Sequence, residues 1–144
     1  MMIFEFKGDN EFLSNFYKSP FAFMGIEFPT VEHFYQASKA CDFLEAHNLA
    51  NCPMAGGVKR LGKAVELRGD WEEVKIDVMR LALSIKFSDD DLREKLLATG
   101  DCELYEGNTW GDTFWGVDLR TGVGKNHLGK LLTELREKLR RDCG

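Results

Sequence analysis

Between Trp71 and Ile85 apolar residues return at Trp71, Val74, Val78, Leu81, Ala82 and Ile85, close to 3.6-residue spacing throughout. A second stripe, Leu128, Leu131, Leu132, Leu135 and Leu139, fills the segment from about Asn126 to Arg141. No stretch with strand alternation approaches these lengths, so helices must build most of the core. Asp70-x-x-Glu73 resembles a capping box ahead of the first stripe. Ser88 and the Asp89–Asp91 run open a shorter helix holding Leu92, Leu96 and Leu97, stopped at Gly100.

The remaining elements are shorter. Thr30 after Pro29 is an N-cap, and Val31, Phe34, Ala37, Cys41 and Leu44 form the apolar stripe of one helix. A helix with Met54, Val58 and Leu61 follows Pro53, weakened by Gly56, Gly57 and Gly62. Met2, Phe4 and Phe6 alternate as a short strand. Phe21–Phe23 and Ile26–Phe28 read as a hairpin turning at Gly25, and 102–106 as a further strand. Residues 11–17 form an aromatic loop. The fold class that follows is α+β, predominantly helical, with a few short antiparallel strands. With no repeat, low-complexity stretch or linker, residues 1–144 are expected to form a single domain.

Composition narrows the function classes. Hydrophobic residues at 44% and charged residues at 30% belong to a globular chain, not a disordered one. The formal charge of −5 gives no global basic footprint for duplex DNA, although a pocket needs only local charge. No apolar run reaches a membrane span and the start lacks a secretory apolar region, so the expected address is the cytoplasm. Cys41, Cys52, Cys102 and Cys143 form no Cys-x-x-Cys pair and are expected to be reduced thiols. His33, His47 and His127 show no ligand spacing, so metal catalysis is not expected.

Four features carry possible chemistry. Glu32, Gln36 and Lys39 stand at i, i+4 and i+7, one polar stripe opposite the apolar one, flanked by Tyr35 and Phe43. A solvated face has the same spacing, but seldom carries aromatics beside its charges. Gly107–Lys125 holds five glycines, Trp110, Trp115 and Asp112 in 19 residues, the profile of a packed Ω-loop or a functional loop. Gly122-Val123-Gly124-Lys125-Asn126 leads into the last helix as an anion-binding turn or a simple hinge. Lys59, Arg60, Lys63 and Arg68 supply cations for a phosphorylated ligand, or a solvated face.

Taken together, Phe12-Leu13-Ser14-Asn15-Phe16, Pro29-Thr30-Val31-Glu32-His33-Phe34-Tyr35-Gln36-Ala37-Ser38-Lys39, Asp112 with Trp115-Gly116, and Gly124-Lys125-Asn126-x-Leu128-Gly129 resemble the signature of the NADAR (YbiA-like) family. The resemblance covers nearly the whole chain and implies an N-glycosidase that cleaves the bond between ribose and an amine or base nitrogen. It implies phosphorylated riboside intermediates of riboflavin synthesis or an ADP-ribosyl group on guanine, including ADP-ribosylated nucleic acid, as substrates. A module that binds ADP-ribose or a nucleotide without cleaving it is the alternative. The resemblance also implies a compact, mainly helical domain without metal or redox cofactor.

Carried over residue by residue, it assigns catalytic roles to Lys39, Glu32 and Asp112. It assigns substrate contacts to Asn15, Phe16, Tyr35, Gln36, Arg68, Trp115, Gly124 and Asn126. Two departures touch substrate choice: Gly62-Lys63 stands where Gly-Arg is usual, and Val117-Asp118-Leu119-Arg120-Thr121 follows Trp115-Gly116. The chemistry suits these residues. Positive charge builds on ribose as the glycosidic bond breaks, so carboxylates stabilise it and an acid assists the leaving nitrogen. A lysine with a lowered pKa can instead capture the sugar carbon covalently.

Overall fold

The computed structural model describes residues 1–143, with side chains through Asp142. Its order is β1 (Met2–Ile3), a 3-10 helix (Gly8–Leu13), β2 (Phe21–Phe23), β3 (Ile26–Phe28), α1 (Val31–Ala37), α2 (Phe43–Ala50), α3 (Ala55–Gly62), α4 (Trp71–Lys86), α5 (Asp90–Ala98), β4 (Glu103–Leu104), β5 (Gly107–Asn108), β6 (Val117–Asp118) and α6 (His127–Cys143). The mainly helical α+β class is therefore observed. None of the described helices is long and apolar enough to cross a membrane. The chain divides into two compact units, Asn15–Lys86 and, around it in sequence, Met1–Ser14 with the chain from Phe87 on.

In the Asn15–Lys86 unit, α1 is the central helix and packs against α2, α3 and α4. All seven of its residues are buried, which only a helix covered on every side permits. Thr30 caps it: the hydroxyl accepts from the His33 backbone amide at 3.1 Å. The His33 ring then ties α1 down, with Nδ1 at 2.8 Å from Thr30 Oγ1 and Nε2 at 2.7 Å from the Cys52 carbonyl. The β2–β3 hairpin turns through Met24 and Gly25, with φ of 51° and 80°. Positive φ at both central positions is the hairpin geometry that glycine eases. Phe21, Phe23 and Phe28 from the hairpin gather around Phe34 at centroid distances of 5.1–5.5 Å.

The expected helix from Thr30 to Leu44 is two helices. Ser38 Oγ donates back to the Phe34 carbonyl at 2.7 Å, and Asp42 starts α2 by accepting from the Glu45 amide at 2.8 Å. These local bonds compete with helix continuation. Cys41 and Leu44 are exposed as a result.

The other unit packs α6 against α5 and β4, with Leu96, Leu104, Leu128 and Leu132 fully or almost fully buried. Asp89 caps α5 through the Leu92 amide at 3.0 Å. The expectation of antiparallel strands is corrected here. Among the described residues only β2–β3 is antiparallel, while β1–β4 and β5–β6 are parallel two-residue pairs. They link segments about a hundred and about ten positions apart, which alternation within one segment does not reveal. The Met2–Phe6 strand is accordingly only Met2–Ile3, and part of the aromatic loop before Ser14 is the 3-10 helix.

Candidate functional site

Lys39 lies just beyond α1, on backbone held from both sides. Its amide donates to the Gln36 carbonyl at 3.2 Å, and its carbonyl accepts from the Arg68 amide at 2.9 Å. The ammonium sits 5.4 Å from the Tyr35 ring centroid and 6.0 Å from that of Trp71. Those two buried rings lie 5.1 Å apart at 59°, so the amine faces an aromatic corner. Burial holds the Lys39 amine below its ordinary pKa. Glu32 opposes that shift, while Lys59, Lys75 and Lys63 push the amine lower again by like-charge repulsion.

Glu32 and Gln36 are buried on α1, not solvated. Gln36 Nε2 donates to Glu32 Oε1 at 3.1 Å, an i,i+4 pair sealed from water. The Glu32 amide, one of the orphan donors at the helix start, donates to the Asn15 carbonyl at 3.0 Å. Asn15 also donates from Nδ2 to Met79 Sδ at 3.6 Å, and its Oδ1 is buried without a hydrogen-bond partner. Phe16 is exposed, with the Lys59 ammonium 5.7 Å over its ring. Thus Glu32, Gln36, Lys39, Tyr35, Asn15 and Phe16 share the Asn15–Lys86 unit. Arg68 is there too, but its guanidinium grips Asp70 through Nε at 2.6 Å and Nη2 at 3.1 Å.

Trp71, read from sequence as an apolar helix position, and Lys75, given no role there, both lie on α4. Their one-turn spacing was the available signal, but nothing local ties that turn to Lys39. The charge of Lys75 is shared with Glu72 at 2.5 Å.

The other predicted residues lie in the second unit, around the glycine-rich loop. Asp112 Oδ1 accepts from the Phe114 and Trp115 amides at 3.1 and 2.9 Å, folding the loop back on itself. Asn108, almost fully buried, clamps it from behind by donating to the Asp112 carbonyl and the Glu106 carboxylate and accepting from the Asp112 amide. The Trp115 ring stands edge-on to Phe114 at 4.8 Å.

Gly124 has φ of 159° and packs directly on the Gly116–Val117 backbone. Asn126 adopts φ of 54° and is buried; Nδ2 donates to the Leu104 carbonyl at 2.9 Å, and Oδ1 accepts from the Glu106 amide at 3.0 Å. Both side-chain ends of Asn126 are therefore committed to backbone. Glu106 and Asn108 were not singled out from sequence, because neither stands in a chemical spacing pattern.

Residues 4–140 match the NADAR domain. The chain belongs to the NADAR domain family. Among its relatives, the N-glycosidase YbiA of Escherichia coli strain K12 is 43% identical over 129 residues, spanning 88% of this chain and 79% of that protein. An N-glycosidase of Nostoc punctiforme is 42% identical over 118 residues, 77% of this chain and 74% of that protein. A riboflavin biosynthesis protein of Vibrio vulnificus is 37% identical over 131 residues, 89% of this chain but 35% of its own length. The NMR structure of E. coli YbiA superposes with a TM-score of 0.86 at 36% identity, covering 99% of this chain and 85% of that one.

Proposed function

We propose that the N-glycosidase activity of this NADAR protein is directed at a phosphorylated riboside, with Lys39 as the nucleophile. The protein is an N-glycosidase; the substrate class and the residue roles are the proposal. One observation carries it: a lysine amine held below its ordinary pKa by burial, under the influence of a buried carboxylate and facing the corner of two aromatic rings. Lowering the pKa raises the fraction of neutral amine, and only the neutral amine is a nucleophile.

In this reading Lys39 Nζ bonds to the anomeric carbon as the bond to the leaving nitrogen breaks. The nitrogen departs with a proton, and water then cleaves the carbon–Nζ bond, releasing the sugar and restoring the amine. Glu32, held by Gln36, stabilises the positive charge that builds on the ribose and relays a proton. Tyr35 and Trp71 supply apolar surface beside the reacting carbon. Lys59, Lys63 and Lys75 give the surroundings of Lys39 a cationic bias, which suits the phosphate of ribose 5-phosphate or the pyrophosphate of ADP-ribose.

The test is a substrate panel for the purified protein: ribosyl phosphate derivatives of aminopyrimidines against ADP-ribosylated guanosine, assayed for free ribose 5-phosphate or ADP-ribose. Release from either arm names the substrate. Saturable binding with no release from any member would leave a nucleotide-binding module in place of an enzyme acting on these compounds.

A further inference from the structure

Gly62, the last residue of α3, is buried against the side chain of Gln36. A Cβ at Gly62 would overlap Gln36 Oε1 outright and stand 2.6 Å from its Cδ. The Gln36 amide has no freedom to yield. Its Nε2 must face the Glu32 carboxylate, because the opposite flip would set two acceptor oxygens against each other. Oε1 is thereby turned toward Gly62, buried and without a hydrogen-bond partner. A buried, unsatisfied carbonyl is costly, and this one is retained at the point where α3 meets α1.

α3 carries Lys59, and Lys63 follows Gly62 directly as its C-cap. Both act on Lys39 by repulsion. The charges that act on Lys39 are those of Glu32 on α1, Lys59 on α3, Lys63 at its C-cap and Lys75 on α4. Arg68 is occupied with Asp70.

We propose that the Gly62–Gln36 contact is a spacer that sets how closely α3 brings Lys59 and Lys63 to Lys39, making Gly62 and Gln36 positioning residues for the amine. The missing side chain at Gly62 lets α3 lie directly on the amide. Gln36, already anchored to Glu32, fixes the depth at which it stops. The same amide thus restrains the one acidic neighbour of Lys39 and spaces two of its basic ones. The catalytic meaning of the spacer rests on the proposed role of Lys39, but the spacing itself does not.

The experiment titrates the Lys39 side chain by NMR in protein with 13C-labelled lysine, without substrate, in wild type, G62A, Q36A and G62A/Q36A. In G62A the added methyl pushes α3 away, so Lys39 should titrate higher than in wild type by about half a unit or more. Removing the amide in G62A/Q36A makes room for the methyl, and the titration should fall back toward wild type. If G62A does not fold, K59Q and K63Q remove the charges without touching the Gly62–Gln36 contact, and each should raise the Lys39 titration.

A folded G62A with an unmoved Lys39, a double variant that fails to recover, or charge variants without effect would each overturn the spacer. With an active substrate in hand, the acid limb of kcat/KM should move with the Lys39 titration. Titrations that behave as expected while that limb stays fixed would retain the spacer and sink the nucleophile.

Discussion

Arg136 reaches from α6 to the C-cap of α5, where its Nη1 donates to Thr99 Oγ1 at 2.8 Å. The same hydroxyl donates to the Leu96 carbonyl at 2.6 Å, so Thr99 links a buried guanidinium to the end of a helix. Thr99→Ala would strip an acceptor from a charge that has little water to turn to. The expected loss is about 1–3 kcal/mol, read as a lower urea midpoint with an unchanged slope. An unchanged midpoint would show that the guanidinium finds another acceptor.

Lys39→Ala tests the proposed nucleophile. Turnover should fall at least about 10²-fold while thermal unfolding stays within the range of an ordinary surface change. Once the Lys39-bound sugar opens its ring to a Schiff base, borohydride added during turnover of wild type should leave a reduced adduct on Lys39, located by peptide mass. Lost turnover without any adduct would assign the lysine to charge stabilisation and give the covalent role to no residue.

Lys86 makes stability depend on pH. It is buried at the end of α4 with its ammonium 5.6 Å over the Tyr17 ring, and burial lowers its pKa to about 7. In the unfolded chain it titrates near 10.5. Between these values the unfolded state holds a proton that the folded state has released, so this group's contribution to stability rises with pH across that window. Below about 7 both states are protonated and the contribution is flat at its lowest. Lys86→Met should remove that alkaline rise and stabilise the protein most at and below neutral pH. Parallel wild-type and variant pH profiles of the urea midpoint would contradict it.

Asn126→Ala should cost more than a surface asparagine would. It removes bonds to Glu106 and Leu104 and leaves an alanine at φ of 54°. About 1–3 kcal/mol for the stranded backbone groups, plus roughly 1–2 for the left-handed backbone, is the expected range. Asn126→Gly should recover the second part only. Equal losses in the two variants, compared by chemical denaturation, would mean that the backbone conformation carries no strain.

The helix starts were legible because they are written locally. Thr30 and Asp89 each cap the helix that their spacing announced, and Gly25 turns the hairpin. The break after Ala37 was not legible, since Cys41 and Leu44 continue the apolar stripe in register and only the side-chain bonds of Ser38 and Asp42 stop the helix. The parallel strand pairs escaped for a different reason, as Met2 finds Glu103 only once the fold has closed.

At the candidate site the Glu32–Gln36 pair follows from spacing of four. Its burial does not, because α2, α3 and α4 supply the cover. The electrostatics of Lys39 depend on Lys59 and Lys75, 20 and 36 positions away, which no local pattern connects. The role of Asp112 came from resemblance and that of Asn126 from resemblance and the glycine turn before it, while the bonds that shape their loop are visible only in three dimensions.

The early end of α1 has a mechanical consequence. Had the helix run on, carboxylate and amine would ride one rigid rod, and any slip of a residue would swing both by about 100° together. Instead the acid is mounted on the rod and the amine on a separate bracket, fastened to the Gln36 carbonyl on one side and the Arg68 amide on the other. Their alignment then depends on the Arg68 tie as well as on the rod, and that tie can drift while the rod stays put. Damage to either should show first as lost chemistry in a protein that still folds.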